Sequence, residues 1–321
     1  MRRRGVGTMM SVDVEISEVG PRDGLQGLKA FVPTAVKTAW ISAEAAAGVR
    51  EIEVCSFVPA KVVPQFTDAK AVVAHALAVP GLTVAALVPN LRGAEDAVAT
   101  GVHKITFTLS ASRSHSLANV RRTPEEQLAE FARIVAFVRG LPKEKRPFLS
   151  AGLSTVFGCV YEGAVDEGAV CRLASALAEA GADDVSLADT TGSAHPLQVR
   201  RVVAAVKAEI GDTLTALHLH DTRGLGLANV LAGLDAGIRA FDAALGGLGG
   251  CPFAPGALGN IVTEDLVYML EAMGLRTGID LDRLIAARRD LAAALPGERF
   301  VGHLHHAGVP KGFRPASAST P

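Results

Sequence analysis

Two histidines set two residues apart, His218 and His220, close an apolar run in ALHLHDTRG. On a β-strand alternate side chains share a face, so both imidazoles point one way and Leu219 points the other. At a rise of ~3.3 Å per residue the pair spans about 7 Å along the strand. Such a pair suits a metal ion, and it suits two hydrogen-bonded core histidines equally well. Arg22 and Asp23, in EVGPRDGLQ, also follow an apolar run and are fenced by Gly20, Pro21 and Gly24. Asp23 can offer a metal an oxygen, and Arg22 can stabilise a developing oxyanion. Asn260 could add a neutral oxygen. Two imidazoles, a carboxylate and an amide leave positions open on a six-coordinate divalent ion, for which Mg or Mn is better suited than zinc. Cys251 follows Gly246, Gly247, Gly249 and Gly250. A thiol on such a loop can move with a lid and pass a proton. The loop lacks the Gly-Lys-Ser/Thr ending of a phosphate cradle.

Elements must bring these scattered residues together. Short apolar runs predict strands over 12–19, 51–58, 82–88, 103–110, 147–155, 183–189, 214–221 and 239–246. Helical patterns follow them near 33–47, 68–78, 92–100, 124–139, 166–180, 196–209, 225–237 and 263–274. Eight strand–helix units of ~30 residues point to an α/β fold, a (β/α)8 TIM barrel with an additional C-terminal helix near 281–295. An open doubly wound sheet would carry G-x-G-x-x-G after its first strand, and none is present. The expected division is a disordered basic tail at 1–11, a catalytic barrel at 12–275, and a helix and tail at 276–321 flanking it. Barrel enzymes work at the C-terminal ends of their strands. Glu53 and Asp189 stand there as candidate catalytic acids, and Ser56, Ser186, Thr190 and Gln26 as candidate substrate-binding residues. The opposite strand ends are expected to carry little comparable chemistry.

The 321 residues are 49% apolar and 20% charged, with a net charge of −1. That supports a large core and gives no reason to expect nucleic acid or a membrane as partner. No apolar run reaches membrane-spanning length. The four cysteines, Cys55, Cys159, Cys171 and Cys251, form no C-x-x-C pair, as expected of free thiols in a reducing compartment. Cys55 and Cys159 read as packed thiols, and His303, His305 and His306 as solvated side chains. No nucleotide cofactor is expected.

The stretches EVGPRDGLQ (18–26), HLHDT (218–222) and GGLGGCPFAPGALGNIVTEDLVYMLE (246–271) together resemble the 3-hydroxy-3-methylglutaryl-CoA (HMG-CoA) lyase family, over most of the chain. The resemblance implies a metal-dependent barrel that cleaves HMG-CoA to acetyl-CoA and acetoacetate, as in leucine and ketone-body metabolism. It implies Asp23, His218, His220 and Asn260 as metal ligands and Arg22 as the enolate stabiliser. Cys251 would transfer a proton, Glu53 and Asp189 would be acids near the metal, and Ser56 and Ser186 polar site residues. A small acyl-CoA partner, a cytoplasmic location and a homodimer go with it. Other branched hydroxyacyl-CoA esters, such as citramalyl-CoA, are alternative substrates. A condensing synthase of the isopropylmalate type is a more distant reading. Arg223 stands where relatives often carry an aromatic residue and is expected to bear on acyl-group choice.

Overall fold

The computed structural model describes residues 12–249 and 259–318. The expected basic tail at 1–11, Cys251 and the last three residues lie outside the described residues. Eight parallel strands close into a barrel in sequence order: β1 (Glu15–Glu18), β2 (Glu51–Ser56), β3 (Thr83–Leu87), β4 (Lys104–Ser110), β5 (Phe148–Ser154), β6 (Asp184–Asp189), β7 (Leu214–Leu219) and β8 (Ala240–Ala243). The ring closes where β1 pairs with β8, from Glu15 opposite Ala240 to Glu18 opposite Ala243. The intervening helices are α1 (Thr34–Ala47), α2 (Ala69–Leu77), α3 (Leu91–Thr100), α4 (Arg113–Val120), α5 (Pro124–Gly140), α6 (Glu167–Ala180), α7 (Pro196–Ile210), α8 (Gly226–Asp235) and α9 (Thr263–Ala272). The expected C-terminal helix is α10 (Leu281–Ala294), which packs on α1, and a short turn, α11 (Leu304–Ala307), follows.

The strands alternate. In β4, Ile105, Phe107 and Leu109 are buried against the helices, while Lys104, Thr106 and Thr108 line the barrel axis. In β6, Val185 and Leu187 face out while Asp184, Ser186 and Ala188 line the axis. The outward set builds the core. The inward set is small or polar, with Ser17, Ala85, Ser150, Gly152 and Ala216 in positions that many barrels fill with branched residues. The axis therefore stays open as a cavity of about 240 Å³.

Two expectations need correction. The starts of the strands do carry chemistry: Lys104 donates to Glu51 at 2.9 Å and lies 3.8 Å from Asp184, all three facing the axis. Helix α4 was not anticipated, because RSHSLANV has no apolar period. It is started instead by Ser112, whose side chain accepts the His115 amide at 3.1 Å.

Between the barrel and helices α1, α9 and α10 lies a fully buried acidic group. Glu18 at the end of β1 accepts from the amides of Gly20 (2.8 Å) and Leu245 (3.0 Å) and from the Thr263 hydroxyl (2.7 Å). Glu264 accepts the Gly246 amide at 2.9 Å and faces Arg288. Burial pushes the Glu18 carboxyl up to about 7 against these hydrogen bonds. Burial, then the neighbouring charge of Glu18, raises Glu44 well above its ordinary value. With its three donors, Glu18 is the better anion, and Glu44 holds the proton.

A carboxyl whose affinity for a proton is raised on folding adds stability below its ordinary value of 4.5 and loses it as pH rises through the folded value. Glu44→Gln is therefore expected to match the wild type near pH 4.5 and to be the more stable protein at pH 8. Urea midpoints across that range check this, and parallel curves for the two proteins would refute it.

Candidate active site

The site begins with a wide turn. After β1 the amides of Arg22 and Asp23 both bond to the Val19 carbonyl, at 3.0 and 2.7 Å, and that of Gly24 approaches it at 3.4 Å. This π-type turn, of a kind often found at functional sites, sets Arg22 and Asp23 on the cavity wall. Glycine is required on its approaches. A Cβ on Gly20 would overlap Trp40, and one on Gly24 would press on Leu248.

Arg22 is held by two carboxylates. Its Nε donates to Glu53 and its Nη1 to Asp23 at 2.6 Å. Glu53 in turn accepts the Thr106 hydroxyl. Burial disfavours the Arg22 cation, but Glu53 and Asp23 outweigh it and keep the guanidinium charged. Burial likewise opposes ionisation of Asp23, but Arg22, both histidines and the Asn260 amide hold it well below the usual carboxylate range.

His218 and His220 do share a face, with their Nε2 atoms 3.0 Å apart. Asp23 Oδ2 lies 3.7 Å from His220 Nε2. One ligating atom from each of Asp23, His218 and His220 falls within 4.8 Å of the others, the one such group among the described residues. Cis ligands at about 2.1 Å from one ion are about 3 Å apart, which matches the histidine spacing. His218 Nδ1 lies 3.0 Å from Asp242 Oδ2 on β8. That partner puts the proton on Nδ1 and leaves the Nε2 lone pair for the site. Burial works against a cation on His218, but the Asp242 hydrogen bond and charge prevail and raise its proton affinity. The same field favours any cation placed there.

Asn260 arrives from the far side of the glycine-rich loop. The segment 259–262 clips between strand ends: the Ile261 amide bonds to the Leu219 carbonyl at 3.0 Å and that of Ala244 to the Ile261 carbonyl at 3.0 Å. This sets Asn260 opposite His220. Asn260 Nδ2 donates to Asp23 Oδ2 at 2.8 Å and to the Leu248 carbonyl at 3.0 Å. Its Oδ1 is buried and has no hydrogen-bond partner among the described residues. An orphaned amide oxygen beside a carboxylate and two imidazole nitrogens fits a hard divalent cation. Gly249 (φ 108) and Gly259 admit this close packing. A Cβ on Gly249 would press on Asn260 and Asp23, and one on Gly259 would overlap the carbonyl oxygens of Gly247 and Gly249.

Of the other residues singled out in the sequence, Gln26, Ser186 and Thr190 line the cavity. Thr190 Oγ1 also accepts the Thr155 amide at 2.9 Å. Asp189 and Ser56 are fully buried and are not among the lining residues. Asp189 accepts the amides of Ser193 (2.9 Å) and Ala194 (3.0 Å), shaping the loop after β6. Ser56 accepts the Val58 amide at 3.1 Å. Asp221 accepts the Gly226 amide at the start of α8 at 2.7 Å. Arg223 is exposed and clamps the carbonyls of Thr191 and Gly192 at 3.0 and 2.9 Å. Cys55 and Cys159 are buried thiols, and His303 and His306 are exposed.

The sequence reading missed Asp242, His115, Asn119 and Gln127, all on the cavity wall. Asp242 had a signal, since it pairs with His218 in register on the next strand. His115 and Asn119 had none, because their helix lacks an apolar period. Thr155, at the end of β5, holds φ 59, a left-handed conformation rare for a β-branched residue and costing about 1–3 kcal/mol.

Asp242→Asn should weaken Mn binding by about 10–100-fold through the misoriented His218, with the barrel intact. Titration followed by electron paramagnetic resonance tests this, and unchanged affinity would remove Asp242 from the site.

The HMGL-like family profile matches residues 13–291. Hydroxymethylglutaryl-CoA lyase of Bacillus subtilis is 43% identical over 276 residues, 86% of this chain and 91% of that protein. The cytoplasmic 3-hydroxy-3-methylglutaryl-CoA lyase of Rattus norvegicus is 41% identical over 85% of this chain and 79% of that one. Among solved structures, an HMG-CoA lyase from Acinetobacter baumannii in complex with coenzyme A and 3-methylmalate superposes with a TM-score of 0.88 at 42% identity. It covers 96% of this chain and 99% of its own. With this similarity running through the barrel and the strand ends that form the site, the chain belongs to the HMGL-like family.

Proposed function

We propose that the protein is a carbon–carbon lyase that cleaves HMG-CoA to acetyl-CoA and acetoacetate. The observation that carries this is the convergence of Asp23, His218, His220 and Asn260 beside a half-buried, doubly held Arg22, in a chain about 40% identical to HMG-CoA lyases over most of its length.

The reaction removes a proton from a tertiary hydroxyl, breaks the C2–C3 bond and releases a thioester enolate that must be reprotonated. A divalent ion held by Asp23, His218, His220 and Asn260 would acidify that hydroxyl by Lewis acidity. We assign Mg or Mn, because the donors are nitrogens and oxygens with no thiolate. Arg22 is assigned as the cation that the enolate oxygen needs. Among the described residues Glu53 and Asp23 occupy two of its five N–H donors, which leaves donors for an oxyanion. Glu53 orients Arg22, and Asp242 orients His218. A carboxylate or imidazole at the site takes the hydroxyl proton. Cys251 is assigned the proton returned to the enolate carbon. Gln26, Ser186 and Thr190 offer polar contacts to the acyl group from the cavity wall. The small inward residues make room for that group. No helix among the described residues is long and apolar enough to cross a membrane. The free thiols of Cys55, Cys159 and Cys171 accord with a reducing, cytoplasmic setting. A homodimer completes the reading, and sedimentation checks it.

Cleavage should stop on treatment with EDTA and return with Mg or Mn. Arg22→Gln should lower kcat by about 10²–10³ while HMG-CoA still binds. A panel of HMG-CoA, citramalyl-CoA, and a 2-oxo acid supplied with acetyl-CoA tests the assignment. Faster turnover of either competitor, or normal kcat in the Arg22 variant, would overturn the corresponding part.

A further inference from the structure

The wall of the cavity formed by α4 and α5 contains two buried acceptors that the mechanism above does not use. His115 on α4 is 3% exposed and lines the cavity, and its Nε2 has no hydrogen-bond partner among the described residues. Gln127 on α5 is equally buried, lines the same cavity, and leaves its Oε1 unpartnered in the same sense. Both are tethered to the end of β4. His115 Nδ1 lies 3.0 Å from Ser110 Oγ, and Gln127 Nε2 reaches the Thr108 carbonyl at 3.4 Å.

The hydrogen-bond chain behind His115 fixes where its proton lies. Thr155 has one hydroxyl proton, and it goes to the Ser154 carbonyl at 2.6 Å. Thr155 Oγ1 can then only accept. It takes the Ser112 amide at 3.1 Å and the Ser110 hydroxyl at 2.9 Å. Ser110, having given away its proton, must accept from His115, so Nδ1 carries the hydrogen. Burial disfavours the imidazolium, against a weaker opposing pull from Glu162, so the ring is neutral and Nε2 is a bare acceptor. The strained backbone of Thr155 and the Ser112 cap, itself contacted by Cys159 Sγ at 3.0 Å, hold this arrangement in place. A buried acceptor without a donor is costly, so two on one cavity wall point to a donor supplied by what the cavity binds.

We propose that His115 is a substrate-binding residue whose Nε2 accepts a hydrogen bond from an O–H or N–H of the bound acyl-CoA, with Gln127 offering a second acceptor. This rests on the acyl-CoA reading of the cavity. The donor is the tertiary hydroxyl of the acyl group or an amide of the pantetheine arm.

The test joins kinetics to histidine-selective ¹⁵N NMR, with His115→Gln used to assign the resonances. The wild type should show the Nδ1–H pattern at His115, with an Nε2 resonance that shifts when acetyl-CoA or HMG-CoA is added. His115→Phe keeps the ring volume and removes the acceptor. It should lose about tenfold in kcat/KM for HMG-CoA at an unchanged melting temperature, and His115→Gln, which retains an amide oxygen, should lose less. An equal loss in acetyl-CoA affinity assigns the donor to pantetheine, and unchanged acetyl-CoA affinity assigns it to the hydroxyl. A protonated Nε2 in the free protein, an Nε2 resonance blind to both thioesters, or a phenylalanine variant with wild-type kcat/KM overturns the inference. If the variants do not fold, the wild-type spectra decide. A wild type that neither binds nor cleaves any CoA thioester counts against the proposed function itself.

Discussion

In a closed parallel barrel only every second residue of each strand can face the axis, and the rest of this structure depends on that constraint. The outward positions meet helices and are apolar almost throughout, as with Ile105, Phe107 and Leu109 or Leu217 and Leu219. The inward positions are released from making the core, since small side chains leave the axis open. Charged groups can therefore stand inside the barrel along much of its depth, from Lys104, Glu51 and Asp184 at one end to Arg22, Glu53 and His218 toward the other. The same parity separates residues that look alike in the sequence. Glu53 and Asp242 face in and hold Arg22 and His218. Glu18 and Asp189 face out, Asp189 bonded to two backbone amides and Glu18 to two amides and the Thr263 hydroxyl.

Those outward acids are still coupled to the site. Glu18 ties the turn bearing Arg22 and Asp23 to the start of the glycine-rich loop, because it bonds to both the Gly20 and the Leu245 amides. Glu264 bonds to Gly246 one residue further on. On the loop's return, residues 259–262 are stitched to β7 and β8, which fixes Asn260 beside Asp23 and His220. The glycines at 249 and 259 are needed because two backbone segments and the Asp23–Asn260 pair share one small volume. The loop is thus anchored at both ends by groups that also define the proposed metal ligands. A disturbance at either anchor reaches those ligands without touching them directly.

Much of this was legible in the chain itself. Eight apolar runs with helical patterns between them were enough for the barrel, because a βαβ unit has a characteristic length and strand closure needs eight of them. HLH and PRDG were legible because period-two spacing and backbone-restricting neighbours are local properties. Cys251 was legible as a candidate and lies outside the described residues. Helix α4 escaped because its stability comes from the Ser112 cap and its seat on the barrel, and neither leaves an apolar period. Ser56 stood at a strand end just as Glu53 did, and a bulge between Glu53 and Cys55 breaks the alternation that would fix its facing, while Asp189 lies three residues from the inward Ser186 and so faces out.

The order of residues by itself determined the barrel and singled out Arg22, Asp23, Glu53, His218, His220 and Asn260, because alternation, turn chemistry and unit length are short-range. Only the tertiary structure decided how they meet. It set Asp242 behind His218 and Asn260 against Asp23 across 237 residues of chain, and it brought His115 Nδ1 within 3.0 Å of Ser110 Oγ. Those outcomes depend on strand register and on hydrogen-bond chains that cross between elements. A carboxylate or an imidazole acquires its role from the partner that the closed barrel sets beside it.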